Sequence, residues 1–311
     1  MSAVAQTAST VQSRMVELML QLAPAEGYTQ SLLDGVTYMR SNRSIPATQA
    51  LYEPSIVIVV QGRKKGFHGG SMYVYDEQNY LVLSVPLPFS IETEANEDAP
   101  LLGLALRIDP QVTMELALSL DDPPRAVPPT ATTMYATPID TKLADATLRL
   151  LDALCSPSDT KLLGPAIFRE ITYRVLTGEQ GVGLRAALAQ TGHFGRIAKV
   201  LRKIHSAYHD DLDVPALADQ ANMSVPAFHT HFKAVTATSP IQYIKAIRLH
   251  EARLMIVRNG VSAATASERV GYESTSQFSR EFKRMFGRSP MEESRHLKAV
   301  LSLSPALALA H

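Results

Sequence analysis

The feature that most constrains the fold lies inside the sequence: from about Asp213 the chain repeats itself at an offset of 50 residues. Ser224 recurs as Ser274, Phe228 as Phe278, Phe232 as Phe282, Lys233 as Lys283 and Ser239-Pro240 as Ser289-Pro290, with Ala221 opposite Gly271. A period of that size marks a duplicated supersecondary unit.

Each copy reads as a short helix, a tight turn and a second helix. In the first, about 213–235, Asp213 caps a helix with Pro215 in its opening turn, Ala221-Asn222-Met223 turns the chain and Ser224 caps the next helix. In the second, about 263–286, Ala263 to Arg269 is the first helix, Val270 to Glu273 the turn, and Ser274 the cap of a helix reaching Phe286. Gly271 stands where a turn between helices needs positive φ.

At 100° per residue the second helices separate into two faces. Val225, Phe228, Phe232 and Val235 point inward in one copy, and Thr275, Phe278, Phe282 and Met285 in the other. The outward sets are Pro226, His229, Thr230 and Lys233, then Ser276, Ser279, Arg280 and Lys283. They carry donors, acceptors and cations but no acid, which suits a major groove. A polar outer face alone is usually only solvated; the duplication separates the two readings. The segment Ile241 to Val257 continues as a helix of 17 residues, roughly 25 Å long. It would hold two recognition helices in successive major-groove turns roughly 34 Å apart.

Charge divides the same way. Residues 1–192 hold 14 Lys+Arg against 20 Asp+Glu, and residues 193–298 hold 16 against 10, so the carboxyl-terminal part is the one expected to meet a polyanion. The single Cys155 excludes an internal disulfide, is expected to be buried, and fits a reducing compartment. The absence of a signal-peptide pattern and of long apolar runs leads to the expectation of a cytoplasmic protein without a membrane segment.

Ahead of the repeat, Val4 to Leu22 shows helical spacing, and short β-rich runs follow: 56–60, 71–75, 80–85, 89–92 and 101–108. Strands this close, with turn chemistry between them, imply an antiparallel sandwich or barrel. After the proline-rich stretch 121–138, a pair of helices is expected over about 140–177, with a leucine face for its own core or for another subunit. Gly178 to Gly183 is expected to be a flexible junction.

The run Val270-Gly271-Tyr272-Glu273-Ser274-Thr275-Ser276-Gln277-Phe278-Ser279-Arg280-Glu281-Phe282-Lys283-Arg284, with Phe286-Gly287 and Ser289-Pro290, resembles the signature of the AraC/XylS family of transcription regulators. Ser239 to Lys245, with Arg248-Leu249 and Ala252-Arg253, resembles that family's linking helix. Leu51 to Ser55, Gln61-Gly62, Lys64, Tyr73 to Asp76 and Tyr80 to Val82 resemble the amino-terminal domain of one branch.

The resemblance implies an α+β multidomain chain. A cupin-like β-barrel with its helical pair (1–180) serves as effector or dimerisation domain, a linker follows (181–192), then an all-α domain with two helix-turn-helix units (193–298) and a tail (299–311). It implies base contacts at Pro226, His229, Thr230, Thr275, Ser276 and Arg280. Many family members carry Arg where Thr230 stands. The face analysis agrees for all but Thr275, and it assigns Lys233, Lys283 and Arg284 to phosphates.

Arg40, Arg43, Gln61, Arg63 and Lys64, with Lys65, form the basic part of the acidic half, where an anionic effector or merely solvated turns would account for them. The expected partners are double-stranded promoter DNA, a small-molecule effector, RNA polymerase and a second copy in a homodimer. The expected role is that of an activator, although nothing in the residues separates activation from repression.

Enzyme chemistry is not expected, and neither a metal nor a cofactor is. The barrel region holds one histidine, His68, without a His-x-His pair. His229 and His231 fall on different helix faces, and His205 and His209 lack a third ligand. Ser71 and Ser84 lack a nucleophile-elbow setting, and Gly181-Val182-Gly183 has no strand before it. A cupin enzyme with a DNA-binding appendage would hold a metal, and an architectural protein would bind all sequences alike; these are the competing classes.

Overall fold

The computed structural model describes residues 3–120, 133–178, 181–188 and 192–301. Helix α1 (Ala3–Leu22) precedes strands β1 (Gly27–Gln30), β2 (Val36–Ser41), β3 (Ile45–Tyr52), β4 (Ser55–Gln61), β5 (Arg63–His68), β6 (Ser71–Asp76), β7 (Asn79–Leu83), β8 (Leu87–Glu94) and β9 (Leu101–Arg107). Helix α2 (Pro110–Leu118), strand β10 (Met134–Pro138) and helices α3 (Thr141–Leu154), α4 (Pro157–Leu162), α5 (Gly164–Thr177) and α6 (Gly181–Leu188) complete the first part.

Among the described residues the ten strands form one antiparallel sheet in the order β1-β2-β9-β4-β7-β6-β5-β8-β3, with β10 on β7. The edge strands β1 and β3 share no ladder, so the sheet curls into a half-barrel without closing. The expected barrel is therefore open. The alternation of side chains sorts its two faces. Ile56, Ile58, Val60, Val82, Leu102, Leu104 and Leu106 pack under α1, α3 and α5, while Val57, Val59, Tyr75, Leu81, Leu83 and Phe89 fill the inside.

The expected strands appear with small shifts, and β1, β2, β3, β5 and β10 join them. β10 lies in the proline-rich stretch; residues 121–132 of that stretch, and 302–311 of the tail, lie outside the described residues. The expected helical pair is three helices, because Pro165 opens a new first turn after Leu163. The leucine face of α3 (Leu143, Leu150, Leu151, Leu154) is turned into the chain's own core.

Of the stretch expected as a flexible junction, Gly181 to Gly183 form the start of α6, whose Leu184, Ala187 and Leu188 are buried, and residues 179–180 lie outside the described residues. Glycine permits its close approach: a Cβ on Gly181 would fall 2.0 Å from the carbonyl oxygen of Leu176. Cys155 is exposed rather than buried, because it caps the end of α3.

The second part is all helical: α7 (Gly192–Ser206), α8 (Val214–Gln220), α9 (Val225–Thr236), α10 (Pro240–Arg258), α11 (Ala263–Arg269), α12 (Thr275–Phe286) and α13 (Pro290–Leu301). Its first unit shares one apolar cluster with the inside of the half-barrel, joining Leu83, Val85 and Leu87 to Phe232, Tyr243 and Ile247. The second unit keeps a core of its own around Leu249, Ala252, Phe278 and Phe282.

Candidate nucleic-acid interface

Both second helices start the same way. The Ser224 hydroxyl accepts from the Ala227 amide at 3.4 Å, and Ser274 accepts from Gln277 at 3.3 Å. Both also end alike, in a left-handed residue whose amide returns to a lysine carbonyl: Ala237 to Lys233, and Gly287 to Lys283.

The turns before them differ by one residue. Met223 donates its amide to Ala218, and Tyr272 donates to Ser267, an offset of 49. Asn222 (φ 50°) and Gly271 (φ 79°) are therefore the matching left-handed residues. This corrects the expected pairing of Ala221 with Gly271, since the second turn holds one extra residue. Gly271 also needs its lack of a side chain: a Cβ there would sit 2.8 Å from the His209 carbonyl.

The aromatic residues predicted inward are inward: Phe228, Phe232, Phe278 and Phe282 are buried, with ring centroids 5.4 and 5.5 Å apart within each pair. Val225 and Thr275, assigned inward by helical angle, are exposed. Each is the first helical residue, and because helical side chains lean toward the N-terminus it has no preceding turn to pack on. Pro226, Thr230, Lys233, Ser276, Arg280, Lys283 and Arg284 are exposed, and His229 is half-buried against Phe228. His231 stacks on His193 at 3.9 Å. Burial, then His193 and Arg196, lowers its pKa.

The one acid in these two helices is Glu281, and it is spoken for. Its carboxylate accepts from Lys245 Nζ on α10 at 2.7 Å, from the Tyr272 hydroxyl at 2.8 Å and from Gln277 at 3.2 Å. Burial alone would raise its pKa, and these bonds outweigh it and hold it below the ordinary range.

Arg248 makes a second tie. Its guanidinium donates to the carbonyls of Tyr208, Asp210 and Gly271 at 2.8–3.0 Å, so one side chain grips the loop before the first unit and the turn of the second. Arg253 reaches farther, donating to Gln49 of β3 at 3.0 Å while pairing with buried Glu293 of α13 at 2.6 Å and lying 4.8 Å over the Phe286 ring. Helical periodicity marked none of these three as organisers, because their partners come from distant segments.

The basic residues of the first half do not converge. Arg40 donates to the carbonyls of Ala23 and Pro24, and Arg43 pairs with Glu26. The Gln61 amide donates to Pro100. Arg63 pairs with Asp76 and Glu94, and Lys65 with Glu92 and Glu94. Lys64 alone points into the half-barrel, where it is buried among Tyr52 and Tyr75. Burial opposes its charge, but the phenol oxygens of Tyr28 and Tyr52 more than offset this and its pKa lies above the usual lysine value.

His68 is half-buried at the end of β5, and burial lowers its pKa. His205 faces Glu53 at 3.3 Å and His209 faces Asp210. No group of three metal-ligating side chains occurs among the described residues.

Comparison with known proteins agrees with this geometry. Residues 32–182 match the family model described as AraC-type transcriptional regulator N-terminus, and residues 217–296 match a helix-turn-helix domain. The chain is 32% identical over 94 residues to the HTH-type transcriptional regulator AlkR of Acinetobacter baylyi, covering 30% of this chain and 31% of that protein. It is 28% identical over 97 residues to the HTH-type transcriptional activator RhaS of Escherichia coli, covering 31% of this chain and 35% of that one. The matched segment thus spans about a third of the length of these curated relatives. In fold, the chain is similar to ToxT of Vibrio cholerae, crystallised with an unsaturated fatty acid bound: TM-score 0.58, 12% identity, covering 86% of this chain and 96% of that one.

Proposed function

The chain belongs to the AraC family of transcriptional regulators, and on that premise we propose that it binds double-stranded promoter DNA sequence-specifically and regulates transcription under the control of a small-molecule effector. The observation that carries this reading is the pair of serine-capped helices whose exposed faces hold no carboxylate. An anionic duplex repels acids, so a groove-reading face excludes them. Arg280 is the leading base reader, since a guanidinium bonds guanine in a bidentate way. Pro226, His229, Thr230, Thr275 and Ser276 are assigned to the remaining base contacts, and Lys233, Lys283 and Arg284 to phosphates.

The half-barrel within residues 1–180 is the effector and dimerisation part, and residues 193–298 the DNA-binding part. ToxT, whose fold this chain shares, holds a fatty acid, which supports a ligand for the half-barrel here. The exposed Leu162 and Leu163 offer apolar surface to a second copy. The regulator works in the cytoplasm as an activator that engages RNA polymerase, and it is not an enzyme. No helix among the described residues is long and apolar enough to cross a membrane.

A gel-shift comparison of wild type and Arg280→Ala on the DNA upstream of its own gene, at fixed salt with competitor, tests the reading. The variant should lose sequence preference and keep residual non-specific binding. Unchanged discrimination would remove the second helix from base readout.

A further inference from the structure

Inside the curled sheet one cation stands without an acid. Lys64 is 2% exposed and projects from β5 opposite Tyr75 of β6 and Thr93 of β8. Its neighbours Arg63 and Lys65 alternate to the other face and are taken up by Asp76, Glu92 and Glu94. Among the described residues no carboxylate lies within ion-pair distance of Lys64, whose ammonium sits 5.9 Å from the Tyr52 ring centre. Folded proteins pair buried charges, and here the partner is missing.

Two more polar groups share the deficit. The hydroxyls of Tyr52 and Tyr75 are fully buried, lie near Lys64 and each other, and make no hydrogen bond of good geometry. Burial raises the pKa of both, so at neutral pH they are uncharged phenols, whose oxygens can face the ammonium as dipoles and favour it without cancelling its charge. A phenol whose oxygen faces an ammonium still has its hydrogen to give. Three donors carrying one positive charge complement a carboxylate, which accepts up to four hydrogen bonds and carries one negative charge.

The surroundings indicate the rest of the ligand and its way in. Phe89 packs edge-on against Tyr52 at 5.0 Å, and Ile91 lies on the same inner face of β8. Tyr28 of β1 acts electrostatically on Lys64, Tyr52 and Tyr75, yet it is 47% exposed. β1 and β3 are the unpaired ends of the sheet, so the break in the half-barrel lies beside this cluster. We propose that Lys64, Tyr52 and Tyr75 form an anion-binding cage that takes the carboxylate of a small organic acid with an apolar body, admitted between β1 and β3. Its regulatory meaning rests on the effector reading above; the binding itself does not.

The test titrates the full-length protein with benzoate and with octanoate, following thermal melting and tyrosine difference absorbance, which no tryptophan obscures. Both acids should stabilise the wild type. Lys64→Met should bind at least about tenfold more weakly while melting no lower without ligand, since an apolar side chain of similar length replaces a buried charge. Tyr52→Phe and Tyr75→Phe, which remove one buried oxygen each and keep the ring, should fold and bind more weakly; they decide the matter if Lys64→Met does not fold.

Neither acid binding, affinity unchanged in these variants, or equal stabilisation by chloride at matched ionic strength overturns the cage. DNA affinity measured alongside separates the two ideas. Acid binding that leaves DNA affinity unmoved sinks the effector reading and keeps the cage. A DNA response to benzoate that persists in Lys64→Met does the reverse.

Discussion

The hydroxyl of Tyr243 in the linking helix α10 donates a buried hydrogen bond of 2.7 Å to the carbonyl oxygen of Pro86, 157 residues earlier in the connection between β7 and β8. Around it the Thr133 hydroxyl donates to the Val235 carbonyl at 3.1 Å, and Gly69 comes close to Ala237. The half-barrel and the first helix-turn-helix unit are therefore one packed body with a common core. Any ligand-dependent shift of β3 or β8 would act directly on α10.

Tyr243→Phe isolates that contact. It keeps the ring against Phe232 and leaves the Pro86 carbonyl buried without its donor, a loss of roughly 1–3 kcal/mol. Urea unfolding should show a lower midpoint with an unchanged slope. An unchanged midpoint would mean that water or backbone movement supplies the missing donor.

A second prediction concerns acid. His250 is buried edge-on to Phe286 at 5.2 Å, its Nε2 has no partner, and its pKa is pushed down to about 3, by burial first and then by Arg253 and His205. An unfolded histidine titrates near 6.5. Between these values the unfolded chain binds a proton that the folded chain refuses. Stability contributed by the neutral ring is thus complete above pH 6.5 and is lost as pH falls toward 3, at up to roughly 1.4 kcal/mol per unit. His250→Leu should flatten the stability profile between pH 6.5 and 5 relative to wild type. Parallel profiles would remove His250 as the cause.

What sequence could reveal was what lies close along the chain. The caps Asp213, Ser224 and Ser274 and the paired phenylalanines sit within a few residues of the backbone they organise, and the structure places them as read. Strand β5 was hidden because Arg63-Lys64-Lys65 is charged on both faces, and only the sheet shows that its middle lysine is the inward one. Helix α6 was hidden by the very glycines that let it pack. The shared core was out of reach because α10 buries Tyr243, Ile244, Ile247, Leu249, Ala252 and Ile256 around much of its circumference, which erases the one-sided stripe that periodicity detects.

The last prediction separates positioning from contact in the second recognition helix. Glu281 faces away from the proposed groove side and holds α12 to α10 through Lys245 and to its own turn through Tyr272. Glu281→Ala leaves the Tyr272 hydroxyl and the Lys245 ammonium without their acceptor, while Phe278 and Phe282 still anchor the helix. The domain should remain folded with a looser angle between the two units. On a full site, affinity should fall by roughly tenfold, the equivalent of about 1.4 kcal/mol. On a half-site read by the first helix alone it should not change, because α9 and its cap are untouched. Equal losses on both sites would show that Glu281 supports the whole domain and not the placement of one helix.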